Sequence, residues 1–151
     1  MKKIAPCLWF NGKAEQAMKF YKSIFKDAKV LSVYRRDGEV LLVRFRLLDQ
    51  EIFGLNGGPR FKATPAFSLY VFCKTQKEVD YYWKKLLSGG GKESHCGWLT
   101  DKFGISWQIC PEAMIKFLHH RDRKKSERAF QAMLKMSKLD IAVLKKAFDG
   151  K

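Results

Sequence analysis

Apolar and polar positions along the chain follow two rhythms, one of period two and one helical, and their order repeats. "APCLWF" is a short apolar run ended by Asn11-Gly12, a turn and helix-cap pair. Ala14, Ala17, Tyr21, Ile24 and Phe25 then recur at helical spacing with lysines on the other side, which predicts an amphipathic helix. "KVLSVYRR" reads as a strand, Asp37-Gly38 as a hairpin turn and "EVLLVRFRLL" as the return. In that return Val43, Phe45 and Leu47 alternate with Leu42, Arg44 and Arg46, the mark of a half-buried strand. "QEIFGLN" closes the set before the Gly57-Gly58-Pro59 break.

The second half opens the same way. "AFSLYVF" is a strand, Thr75 with Glu78 makes a capping box, and Val79, Trp83, Leu86 and Leu87 line one face of the helix that follows. The Gly89-Gly90-Gly91 run ends it, and short strands are predicted through "KESHC", near "GWLT" and at "ISWQIC". "CLWFNGKAEQAMKFYKSIF" and "SLYVFCKTQKEVDYYWKKLL" superpose, with Leu8 on Leu69, Phe20-Tyr21 on Tyr82-Trp83 and Ile24-Phe25 on Leu86-Leu87. "QEIFGLN" and "GISWQIC" then fall together as closing strands, so a supersecondary unit has been duplicated. After Pro111 the pattern turns helical, with Ala129, Phe130, Met133 and Leu134 on one side of a helix from Ser126 to Met136. A capping box at Ser137 and Asp140 starts another helix, whose Ile141, Leu144 and Phe148 point inward. These boundaries give a first βαβββ module over 1–60, a second βαββ(β) module over 61–111, with two or three strands after its helix, and a helical extension over 112–151, within one folded domain.

A chain of 151 residues, 46% apolar and 14% aromatic, can bury a core without disulfides or metals. Cys7, Cys73, Cys96 and Cys110 form no C-x-x-C pair, which removes zinc-ribbon and thioredoxin readings. The apolar stretch Ile4 to Phe10 is too short for a signal peptide or a membrane span, so a cytoplasmic protein with reduced thiols and no membrane partner is expected. The net charge of +15 would favour an anionic partner. It is dispersed, however, and no nucleic-acid recognition motif accompanies it. The basic positions are therefore read as solvated surface, with nucleic-acid binding as the lesser alternative.

The repeated βαβββ unit resembles the vicinal oxygen chelate superfamily of glyoxalases, bleomycin-resistance proteins and extradiol dioxygenases. "LWFNGKAEQAMKFYKSIF", "GLNGGPRFK", "TQKEVDYYWKKL", "CGWLTDKFGISWQICP" and "AMLKMSKLDIAVLKKAF" are similar to its PhnB-like branch, whose members are sometimes labelled 3-demethylubiquinone-9 3-methyltransferases. The resemblance implies an α+β fold in which two βαβββ modules form a concave mixed sheet, followed here by C-terminal helices, and it implies a homodimer. Literal methyl transfer is not expected. Gly57-Gly58-Pro59 follows a strand with no helix behind it, and Gly89 to Gly91 follows a helix, so neither makes a nucleotide-type cradle.

The superfamily's enzymes hold a divalent metal with His, Gln or Glu from the first and last strands of each module. Here Ile4 to Phe10 and Ala66 to Phe72 contain no histidine or carboxylate, and the closing strands place Gly54 and Gln108 where acids would stand. One neutral amide is a weak ligand set, so no metal site and no cofactor are assigned. His95, before Trp98, is the remaining candidate ligand, though a lone histidine there is more often surface or core, and His119-His120 is read as a helix-end pair. Alternation in "ISWQIC" turns Ser106 and Gln108 toward the cavity and Trp107 toward the helices. Trp9, Asn56, Ser68 and Trp98 join them as candidate walls of a small-molecule site, for an anionic or aromatic ligand. The alternative is a divalent-metal-dependent lyase, isomerase or oxygenase that completes its ligand set from a partner chain. Bleomycin-type sequestration is disfavoured because that drug and this surface are both cationic.

Overall fold

The computed structural model describes residues 4–151. They fall into two compact units, one ending at Thr64 and the other running from Pro65 to Lys151.

The first unit runs β1 (Cys7–Phe10), α1 (Ala14–Ile24), β2 (Lys29–Arg36), β3 (Glu39–Leu47) and β4 (Gln50–Asn56). Its sheet has the order β1-β4-β3-β2, with β1 parallel to β4 and the other pairs antiparallel. Alternation decides which face is covered: Leu8, Phe10, Val43, Phe45, Leu47 and Ile52 are buried together with Ala14, Ala17, Met18, Tyr21 and Ile24 of α1. Removing each such large side chain from water contributes roughly 1.5–3 kcal/mol. Gly54 lies on this covered face. A Cβ there would stand 2.8 Å from Val43 Cγ2 and 3.5 Å from Ala14 Cβ, so the glycine lets helix and sheet approach. The edge strand β2 is exposed at every position except Val33, which is half-buried.

Asn11 does not cap α1. The cap position falls on Lys13, which makes no side-chain cap bond, and Asn56 at the end of β4 satisfies the helix instead. Its Oδ1 accepts from Ala14 N at 2.9 Å, while its Nδ2 donates to Val40 O at 2.9 Å.

The second unit runs β5 (Ser68–Cys73), α2 (Gln76–Leu87), β6 (Lys92–Glu93), β7 (Trp98–Thr100) and β8 (Ser106–Pro111). The order is β5-β8-β7-β6, again with the first strand parallel to the last. Thr75 caps α2 by accepting from Glu78 N at 3.2 Å, and Glu78 Oε2 reaches back to Lys74 N. Val79, Trp83 and Leu86 are buried, as are Val71, Leu99, Trp107 and Ile109 of the sheet. The "KESHC" strand is only two residues long because the chain leaves the ladder. Cys96 and Gly97 take left-handed φ values of 56° and 83°, and their N–H groups donate to Met136 O and Ser137 O.

Three helices follow in the same unit: α3 (Glu112–Leu118), α4 (Arg123–Leu134) and α5 (Ile141–Asp149). The α4 helix begins before Ser126 because the Asp122 carboxylate accepts from Lys124 N and Lys125 N. At α5 the cap is Asp140, which accepts from Val143 N, and not Ser137. Cys110, Met114, Leu139 and Leu144 form the core beneath these helices. Gln76 of α2 ties them down, donating to Leu139 O at 3.1 Å and accepting from Ile141 N at 2.9 Å. Among the described residues no helix is long and apolar enough to cross a membrane.

Candidate functional site

Each sheet has a face turned away from its α1 or α2 helix, and pairing register shows what stands on it. In the second unit Ser68 pairs with Ser106, and Tyr70 with Gln108, which also pairs with Trp98. Four of the residues singled out from sequence, Ser68, Trp98, Ser106 and Gln108, therefore share one face, open at Tyr70 and covered at Cys110 by the C-terminal helices. Gln108 Nε2 donates to Ser68 Oγ at 2.9 Å, which fixes the amide and turns its oxygen elsewhere. Ser106, on the same face, is 2% exposed and closed to solvent. Trp107 faces α2 as expected, buried, with its Nε1 donating to Asp101 Oδ2 at 2.8 Å.

Sequence reading passed over Tyr70 and Phe72, whose rings lie 4.7 Å apart on the same face. Burial, with the Cys110 thiol beside it, holds the Tyr70 phenol above its ordinary value, so Tyr70 stays a neutral donor. Burial likewise raises the Cys110 thiol and pushes Cys73 up to about 12. Neither is a ready thiolate nucleophile.

On the open face of the first sheet stand Trp9, Phe53, Leu55, Arg44, Arg46 and Glu51. Trp9 donates from Nε1 to Gly58 O at 2.9 Å and meets the Phe61 ring edge-on at 5.0 Å. Gly57 is required beneath it, because a Cβ there would fall 2.1 Å from the indole. Arg44 donates through Nε to Glu51 Oε1 at 2.5 Å and carries its guanidinium 6.0 Å from the Phe53 ring centre. Glu51 is 7% exposed. The Arg44 hydrogen bond holds its carboxyl below the ordinary value, and Arg46 adds to the effect. The sequence signal for this cluster was the same Arg44–Arg46 alternation that marked the strand as half buried.

Asn56 belongs to the other side of its sheet. It pairs with Phe10, and its amide is committed to Ala14 N and Val40 O. It lines an open depression of about 550 Å³ between the start of α1 and the β2–β3 hairpin. There Glu15 is already paired with Lys19 and Arg35. That depression lies on the helix side, away from the open-face chemistry. His95, His119 and His120 are exposed.

The register also revises the equivalence between closing strands. Leu8 pairs with Gly54 on the covered face, whereas Gln108 is on the open face opposite Tyr70. A one-residue offset flips a strand residue to the other side, and with Leu8 on Leu69 the counterpart of Gln108 is Leu55, opposite Trp9. The equivalent strand positions are thus Trp9 and Leu55 in the first unit, and Tyr70 and Gln108 in the second. Trp9 and Leu55 offer no lone pair for coordination, Tyr70 holds its proton, and Gln108 is a neutral amide engaged with Ser68. Neither pair, taken within its own unit, fits a tightly held divalent ion. Among the described residues no group of three or more His, Cys, Asp or Glu could hold one.

Two βαβββ units, each with its first strand parallel to its last and a helix packed on one face of its sheet, have the glyoxalase-type fold of the vicinal oxygen chelate superfamily. A fosfomycin resistance protein, FosX, from Listeria monocytogenes shares it at 13% identity and a TM-score of 0.52, over 71% of this chain and 88% of that one. A glyoxalase-related enzyme from Fulvimarina pelagi does so at 12% identity and 0.53, over 76% and 91%. Within that class the chain belongs to the PhnB-like family described as 3-demethylubiquinone-9 3-methyltransferase, whose model matches residues 2–110. A putative 3-demethylubiquinone-9 3-methyltransferase, PhnB protein, from Bacillus cereus is 36% identical, with a TM-score of 0.67, over 73% of this chain and 99% of that one. No curated protein matches. The helices α3 to α5 lie beyond the family match.

Proposed function

We propose that this PhnB-like protein binds a small molecule on the open faces of its sheets, without the catalytic metal of the superfamily's enzymes. The observation that carries the reading is the Gln108–Ser68 hydrogen bond, 2.9 Å long, at the position where an acidic ligand is expected. A fixed amide, a neutral phenol and nearby indole and phenyl groups orient and desolvate a ligand, and they supply no strong base or Lewis-acid holder. The family's descriptive name does not extend to a nucleotide-type methyl donor site here. Mixed sheets of order β1-β4-β3-β2 and β5-β8-β7-β6 lack the parallel strand, glycine turn and helix that cradle such a cofactor.

The reading includes a homodimer. The edge strand β2 leaves Val30, Leu31 and Tyr34 exposed, an apolar edge that a second copy would cover. It also places the protein in the cytoplasm, in keeping with four free cysteines.

Elemental analysis of the purified protein, run beside a thermal-shift screen of small aromatic and anionic compounds, tests the proposal. The expected result is sub-stoichiometric metal and a stabilising ligand whose effect disappears in Gln108→Ala. Stoichiometric manganese, iron or zinc would overturn it. Light scattering should give a particle of about twice the 17.6 kDa chain mass.

A further inference from the structure

We propose that the open face of the first sheet carries an oxyanion subsite, formed by the guanidinium groups of Arg44, over the Phe53 ring, and of Arg46, two residues along the same strand. Its ligand would then be a planar apolar molecule bearing a carboxylate or sulfonate. The inference rests on the small-molecule reading above and names the charge class of the ligand.

Three observations carry it. First, Arg44 is aimed. The Glu51 carboxylate takes its Nε and leaves the two terminal amino groups without a hydrogen bond among the described residues. A covered ion pair is a poor source of stability, because desolvating both charges offsets their attraction, but it does fix a side chain in place. Second, Arg46 stands opposite Glu51 in the β3–β4 register, and Lys29 stands opposite Arg46 on β2. Neither makes an ion pair among the described residues, so three cations face one carboxylate on this patch. Such an excess lowers the free energy of an added anion. Third, the cations adjoin flat apolar surface. Arg44 approaches the Phe53 ring, and one rung along β1 Trp9 is clamped by Gly58 O and Phe61. A guanidinium presents parallel donors that match the two oxygens of a carboxylate, and a lysine ammonium does not.

The test compares two fluorescent probes of similar shape: anionic anilinonaphthalenesulfonate and uncharged phenylnaphthylamine. Arg46→Gln removes one cation and strands no partner. Arg44→Gln combined with Glu51→Gln removes the aimed guanidinium without leaving a lone covered carboxylate. Lys77→Gln, on the exposed start of α2, is the charge-matched control. The expected result is saturable binding of the sulfonate probe, weakened about tenfold to a hundredfold by either Arg variant and unchanged by Lys77→Gln. The neutral probe should keep its affinity in all of them. Should the double variant fail to fold, Arg46→Gln alone decides. Equal loss in the Lys77 control, or sulfonate affinity within about twofold of wild type in the Arg variants, overturns the subsite. Continued binding of the neutral probe in that case leaves the small-molecule reading standing, whereas failure of both probes on the wild-type protein overturns the two together.

Discussion

Arg44 and Glu51 meet across the β3–β4 hairpin, Nε to Oε1 at 2.5 Å, and neither is directly opposite the other in the ladder. Arg44 is paired with Phe53 and Glu51 with Arg46, so the contact runs diagonally over the open face. The diagonal leaves Arg46 as a second cation beside the same carboxylate, without an ion pair among the described residues.

Acid should therefore loosen this face in a way that Glu51→Gln reports. The folded carboxyl is held below its unfolded value, chiefly by the Arg44 bond. Its contribution to stability is present above the unfolded carboxyl's value and disappears as pH falls through the lower folded value. Glu51→Gln should melt below wild type at neutral pH and converge with it in acid. Glu15, Asp80, Asp122 and Asp149 are lowered in the same direction, so the wild-type curve alone cannot assign the effect. The difference between the two melting curves is the readout, and a gap independent of pH would refute the assignment.

Gly57→Ala should unseat Trp9. The added methyl would stand 2.1 Å from the indole Cζ2, and the ring cannot yield without breaking its bond to Gly58 O. Overpacking of this kind costs about 1–3 kcal/mol. Fluorotryptophan NMR should show one of the four indole signals shifted, together with a lower melting midpoint. An unshifted spectrum would mean that Trp9 is not clamped.

Asn56 and Asn11 make a paired comparison. Asn56→Ala strips Ala14 N and Val40 O of their side-chain partners, a loss of about 1–3 kcal/mol. Asn11→Ala should change stability by no more than about 0.5 kcal/mol, since Asn11 does not cap the helix. Urea unfolding of both variants separates the two roles. Comparable losses would restore Asn11 as the cap.

These cases mark what was readable in the chain. Period-two and helical apolar patterns placed α1, α2 and the half-buried strands, because burial of one face leaves its imprint on alternate residues, whereas β2 and the two-residue β6 are largely exposed and carry no such imprint. The duplicated unit was legible for the same reason. What was not legible depended on partners distant in sequence. Asn56 caps a helix 42 residues away, Gln76 reaches the 139–141 segment, and Cys96 leaves its strand to donate to Met136 O. Gly54 was misplaced by one residue because two closing strands can be slid against each other in sequence, while only their pairing fixes the face. Of the candidate site, the Ser68–Gln108 face was readable by alternation. The Arg44–Glu51 pair was not, since a diagonal contact has no sequence spacing of its own.

The helical extension should prove integral to the second unit. Leu139 is fully buried among Cys110, Met114 and Leu144, and a Cβ on Gly97 would come within 3.0 Å of its Cδ1. Leu139→Ala would open a cavity directly against the last strand, at about 2–5 kcal/mol. Two measurements follow from that geometry. Thermal unfolding should lower the main transition, because α3 to α5 share their core with β8 through Cys110. Thiol labelling should also find Cys110, 1% exposed in the native protein, reacting faster in the variant. An appended helical module that merely rides on the sheet would behave otherwise, with a separate early transition for the helices and an unchanged main one. Gln76→Ala provides the independent arm, since it removes the two bonds from α2 to the 139–141 segment without touching the apolar core. It too should lower the main transition, by about 1–3 kcal/mol.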